Sequence, residues 1–139
     1  MSPQKLVRGI DHLGITVPDL EAATHFFIEA FDARPLFDNI RRTDPPFEGA
    51  EAENKVGMEP GSVLITMRLL QLGNGPGLEL FEMSGPDQRP PARPSDVGLQ
   101  HFAVHVEDIE AASARFVAAG GVLLEGPNDM AGFEAGAGN

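Results

Sequence analysis

Apolar and other positions alternate from Ile10 to Val17. Leu13, Ile15 and Val17 fall on one side, and Ile10, His12, Gly14 and Thr16 on the other. That is the period of a half-buried strand. After Asp19 the period becomes helical, with Leu20, Ala23, Phe27 and Ala30 in one apolar stripe. Asp19 is placed to cap the helix with its carboxylate, and Glu21 in the first turn suits the positive helix end. Arg34–Ile40 reads as a second strand. Residues 41–61, broken by Pro45-Pro46, Gly49, Gly57 and Pro60-Gly61, read as a long loop holding one or two helical turns. Leu64–Leu72 and Leu78–Met83 flank Gly73-Asn74-Gly75-Pro76-Gly77, which is a hairpin signal. Residues 9–83 thus form a β-α-β-β-β module, and 84–97, rich in proline, a linker.

The first part of this pattern recurs. Residues 9–30 and 98–119 align without a gap at an offset of 89, with nine of 22 positions identical. The matches include His12/His101, Asp19/Asp108, Glu21/Glu110 and Phe27/Phe116. Shared helix propensity explains scattered alanines but not a His, an Asp, a Glu and a Phe in register. A duplicated module is expected. In the second copy Phe102, Val104 and Val106 predict a strand. Asp108 predicts a cap, Ile109, Ala112, Phe116 and Ala119 a helical stripe, and Gly120-Gly121 its end. The second module, 98–139, is incomplete as written: the counterpart of Met83 would fall at position 172, and Glu125–Asn139 is a Gly/Ala-rich tail without strand pattern. Gly132–Asn139 is expected to be poorly ordered or to reach a neighbouring chain, since Phe133 alone returns too little burial energy to fix eight residues. The fold class is α+β: two tandem β-α-β-β-β modules forming a curved mixed sheet around a central cavity, in a single domain spanning 1–139.

Composition narrows the function. The 139 residues carry 10 basic and 21 acidic side chains, a net charge of −11, and no Cys. Without cysteine there is no disulfide, thiol nucleophile or thiolate metal site. The acidity argues against nucleic-acid binding, and no apolar run approaches the roughly 20 residues of a membrane helix. The first residues lack the apolar stretch of a signal peptide, so a cytoplasmic protein is expected. Exposed apolar strand surface and an unpaired edge predict a homodimer.

The candidate chemistry lies with the histidines. His12 and His101 occupy equivalent strand positions on the face away from the helices, where pseudo-twofold symmetry brings them around one cavity. Two convergent imidazoles are good ligands for a divalent metal. If Leu78 and Leu80 meet the helices, Glu79 points into the same cavity as a carboxylate ligand. His105 is about 13 Å along the strand from His101, too far to share the ion. His25 has no matched partner and reads as surface.

The stretches IDHLGITVPDLEAA, GLELFE and GLQHFAVHVEDIEAA resemble the vicinal-oxygen-chelate superfamily, the group of glyoxalase I, methylmalonyl-CoA epimerase, bleomycin-resistance proteins and extradiol dioxygenases. The resemblance implies a divalent metal (Zn, Ni, Co, Mn or Fe(II)) held in a curved sheet of paired modules. Its ligands would be His12 on the first strand, Glu79 on the fourth and His101 on the repeated first strand. The family's last ligand, a Glu on the final strand, has no counterpart among these residues; Glu125 and Glu134 do not sit in the matching motif.

Open metal positions can chelate a substrate with adjacent oxygens, and a nearby carboxylate, with Glu79 the candidate, then moves a proton at the neighbouring carbon. The expected activity is a metal-dependent lyase or isomerase acting on a small molecule. Two alternatives remain. An Fe(II) site with two His and one carboxylate suits ring-cleaving dioxygenation, which usually goes with longer chains. A metal-free, bleomycin-resistance-type binder of cationic drugs suits the net charge but has no need of the His12/His101 pair.

Overall fold

The computed structural model describes residues 6–128. The elements run β1 (His12–Thr16), α1 (Leu20–Phe31), β2 (Arg34–Ile40), β3 (Phe47–Glu48), α2 (Ala50–Val56), β4 (Val63–Gln71), β5 (Gly77–Ser84) and α3 (Ile109–Ala118). The fold is α+β, as expected. The five strands form one open mixed sheet in the order β1-β5-β4-β2, with β3 beside β4. β1 runs parallel to β5 with His12 opposite Gly77 and Gly14 opposite Glu79. The other neighbours are antiparallel.

Strand alternation separates two faces. Leu70, Leu78 and Leu80 are buried with Leu20 and Ala33, and Leu13, Ile15, Val17, Ala23 and Phe27 pack against them. Each fully buried leucine is worth about 1.5–3 kcal/mol, so this layer between α1 and the sheet holds the first module. His12, Gly14 and Thr16 alternate with Leu13 and Ile15, and Glu79 and Phe81 with Leu78 and Leu80. These residues therefore line the opposite, open face of the sheet.

α1 begins where Asp19 accepts a hydrogen bond from the Ala22 N–H at 2.9 Å. The Glu82 carboxylate, from β5, accepts from the Leu20 N–H at 2.8 Å and also binds Arg42. Burial pushes the Glu82 pKa up, but hydrogen bonds from Arg42 and the Leu20 N–H outweigh it and hold the carboxyl below its ordinary range. Across the sheet, Arg68 donates from Nε to Asp38 at 2.6 Å and from Nη1 to Glu21 at 2.9 Å. It thereby ties β4 to β2 and α1.

The first module matches the sequence pattern nearly residue for residue. The 41–61 segment adds the two-residue β3 and a two-turn α2. The second copy differs. Its cap and helix form as expected: Asp108 accepts from the Ala111 N–H at 2.9 Å. The Gly121 and Gly120 N–H groups close α3 on the Phe116 and Val117 carbonyls at 2.8 and 3.0 Å, with Gly120 at φ 100°. The expected strand around Phe102, Val104 and Val106 does not form; residues 99–106 are irregular and exposed. A strand exists only with a ladder partner. Among the described residues no strand pairs with this stretch.

α3 accordingly packs on α1. Phe116 meets Phe26 and Phe31 with ring centroids 5.8 and 6.0 Å apart. Arg115 donates to both Asp32 oxygens at 2.6 and 2.8 Å and to the Glu29 carbonyl at 3.0 Å, gripping the end of α1. Of the tail, residues 129–139, including Gly132–Asn139 and Glu134, lie outside the described residues; Glu125 is exposed.

Candidate functional site

The parallel register sets up the site. His12 stands opposite Gly77 and Glu79 lies two residues further along β5, so the two side chains meet diagonally on the open face. His12 Nε2 is 3.3 Å from Glu79 Oε2. The other ring nitrogen, Nδ1, donates to the Asp11 carboxylate at 2.8 Å. The Gly77 N–H donates to the Asp11 carbonyl at 2.9 Å, fixing the backbone before His12 to β5. Gly77 leaves this space open: a Cβ would lie 3.0 Å from Leu69 Cδ1 and 3.4 Å from His12 Cβ.

The electrostatics follow from two carboxylates about one imidazole. The hydrogen bond to Asp11 holds the His12 pKa above its ordinary value against a desolvation cost, with the charges of Glu79 and Asp11 adding to it. Glu79 is largely shielded, its side chain 18% exposed, and His12 is 43% exposed.

These atoms suit a divalent ion as half of a ligand set. A nitrogen and a carboxylate oxygen 3.3 Å apart have the spacing of two donors sharing one ion through bonds of about 2.0–2.2 Å. His101 is not brought to them. It sits in the irregular stretch before α3, exposed, with Nδ1 2.7 Å from Gln100 Oε1. Among the described residues no three His, Asp or Glu side chains gather closely enough to hold a metal. His25 is exposed, as expected, and His105 is exposed as well.

A cleft of about 790 Å³ opens at the far end of the same face, between Thr16, Met83, the Met58–Glu59 turn and the Asp87–Pro91 stretch. Phe81 stands between it and the donor pair, its ring edge 3.3 Å from where a Gly14 Cβ would be. Neither His12 nor Glu79 lines the cleft. Reasoning from the sequence missed Asp11 as the partner of His12; the dipeptide Asp11-His12 was the available signal, since a neighbouring carboxylate commonly orients a ligating imidazole.

The α+β architecture, with a five-stranded mixed sheet and its helices, is consistent with the fold of the superfamily the motifs resemble. The chain belongs to the glyoxalase/bleomycin resistance protein/dioxygenase superfamily, whose family profile matches residues 11–137. It is also similar to a 2-epi-5-epi-valiolone epimerase from Actinomyces sp, with 34% identity over 118 residues. That alignment covers 84% of this chain and 62% of the relative, so the chain spans about three fifths of the relative's length. Among the described residues, no helix is long and apolar enough to cross a membrane.

Proposed function

We propose that the protein is a divalent-metal-dependent isomerase of the epimerase type, inverting a carbon beside a carbonyl in a small molecule with adjacent oxygens. The observation that carries this reading is the 3.3 Å approach of His12 Nε2 and Glu79 Oε2 on the open sheet face, with Asp11 behind the imidazole. The similarity to a relative named as an epimerase supports the reaction type. In this reading His12 and Glu79 hold the ion, and His101 joins them when the 99–106 stretch is ordered against the open face. A cytoplasmic homodimer belongs to the same proposal. Its support is the exposed Val97, Leu99, Val122 and Leu124, which a partner would cover.

When bound, the ion supplies Lewis-acid charge toward oxygens that become negative during the reaction. The chain's own residues do the rest. Asp11 keeps the His12 ring in place, and Phe81 and Leu69 flank the pair with apolar surface that limits water. Glu79, low in exposure, takes a proton from the substrate carbon, and a solvent-derived proton is delivered to the opposite face, as inversion requires. The test is incubation with a divalent metal and 2-epi-5-epi-valiolone in D₂O. Deuterium at the inverted carbon, lost in Glu79→Gln, is expected; no incorporation by the unaltered protein contradicts the proposal. The net charge of −11 favours a second reading, metal-free capture of a cationic small molecule. Under that reading His12→Ala retains full ligand affinity.

A further inference from the structure

The two repeat histidines share a contact that the sheet does not impose. In the first copy His12 Nδ1 lies 2.8 Å from Asp11 Oδ2. In the second copy His101 Nδ1 lies 2.7 Å from Gln100 Oε1. His12 starts an ordered strand, whereas His101 stands in irregular chain, so the contact comes from the residue pair itself. The acceptors differ in charge but each presents an sp² oxygen from the preceding side chain to the same ring nitrogen.

We propose that the side chain preceding each repeat histidine presets it as an Nε2 donor for a divalent cation: Asp11 positions His12 and Gln100 positions His101. The inference rests on the metal-site reading above and extends it to two residues that touch no ion themselves. The chemistry is one of proton placement. Both ring nitrogens of His12 face carboxylates, which only accept hydrogen bonds. The 2.8 Å contact to Asp11 is shorter than the 3.3 Å approach to Glu79, so the hydrogen of the neutral ring goes to Nδ1 and the lone pair to Nε2. Gln100 has one accepting and one donating end. Its amide nitrogen donates to the Pro94 carbonyl at 2.9 Å, which turns the oxygen toward His101 and gives the same tautomer. The lone pair on His12 Nε2 then faces Glu79. Two backbone features fix the first pair: the Gly77 N–H holds the Asp11 carbonyl, and Gly77 itself leaves room for the His12 Cβ. The other histidines serve as controls. His105 follows Val104, which has no acceptor, and His25 follows Thr24, whose hydroxyl is engaged with the Leu20 carbonyl at 2.7 Å.

The test is ¹⁵N NMR of the imidazole rings in the metal-free protein near pH 8.5, above the imidazole range, paired with a Zn²⁺ titration. The expected result is the Nδ1–H form for His12 and His101, and for His25 and His105 the Nε2–H form that an unconstrained ring prefers. Asp11→Ala, at an almost fully exposed position, should return His12 alone to the Nε2–H form and weaken Zn²⁺ binding about 10–100-fold. Gln100→Ala should do the same to the tautomer of His101 alone. Asp11→Asn keeps an acceptor oxygen and should keep the native tautomer. An Nε2–H ring at His12 in the unaltered protein overturns the proposal. So does a tautomer indifferent to Asp11→Ala, or an affinity loss without a tautomer change, or the reverse. If the unaltered protein takes up no Zn²⁺, the metal reading fails, while the ring spectra still decide whether Asp11 and Gln100 set the tautomers.

Discussion

Gly77 and His12 face each other across the parallel pair β1–β5, and the absent side chain of one makes room for the other. A methyl group at position 77 would meet Leu69 Cδ1 at 3.0 Å, the Leu70 carbonyl oxygen at 3.3 Å and His12 Cβ at 3.4 Å. Of these only the leucine tip can move cheaply. Gly77→Ala should therefore destabilise the fold by about 1–3 kcal/mol, the usual cost of overpacking, and displace His12 from Glu79. Urea denaturation and metal titration of this variant check both effects; a native midpoint with native affinity contradicts the steric argument.

Glu79 lies on the open face rather than in the core, because its neighbours Leu78 and Leu80 fill the opposite face. Glu79→Gln should lower divalent-metal affinity by at least about tenfold, comparable with or larger than losses from outer-shell changes. Thermal stability should change by less than about 1 kcal/mol, because Gln keeps the volume and shape of Glu and the position lies outside the leucine layer. Isothermal titration with Ni²⁺ or Zn²⁺ beside a thermal melt separates the two.

The Arg68 cluster gives a pH dependence with a definite sign. Hydrogen bonds from Arg68 hold the Asp38 carboxyl below the ordinary aspartate range, with desolvation opposing more weakly. A carboxyl whose folded pKa is depressed stabilises the native state above its unfolded value, about 3.9. That stabilisation drains away as pH falls through the lower, folded value. The urea midpoint should accordingly drop below about pH 4, and Asp38→Asn should flatten part of that drop while costing about 1–2 kcal/mol at neutral pH. An unchanged acid limb in the variant excludes Asp38 as its source.

α3 is held on α1 by three aromatic rings and an exposed ion pair, with no fully buried side chain of its own. Exposed pairs contribute about 0–1 kcal/mol, so Phe116 carries most of the docking. Phe116→Ala should release α3 as a unit, seen as loss of amide protection over 109–119 with the β4–β5 amides unaffected. Equal loss in both regions indicates that α3 and the sheet fold together.

Much of this was legible in the chain. The alternation at Leu13, Ile15 and Val17, the caps at Asp19 and Asp108, and the glycine cluster before Leu78 fixed both faces of the first module and put His12 and Glu79 on one of them. Those signals are local, carried by period and by turn chemistry. The stretch around Phe102 and Val104 has the same period yet forms no strand, because period assigns faces but only a hydrogen-bonding partner creates a strand. The two-residue β3 is shorter than any pattern can show. The roles of Glu82 at the start of α1 and of Arg68 between β2 and α1 depend on tertiary contacts 62 and 47 residues apart in sequence, which no window of periodicity reaches.

Metal content tests most directly whether His12 and Glu79 form half of a metal centre. The purified protein would be loaded with a divalent metal, desalted and analysed for bound ion beside His12→Ala and Glu79→Gln. If the pair is a half-site, the unaltered protein retains metal in proportion to its concentration and each variant loses it while keeping its circular dichroism. Retention by His12→Ala equal to that of the unaltered protein would show that the ion, if any, is held elsewhere and that the 3.3 Å approach is an ordinary ion pair.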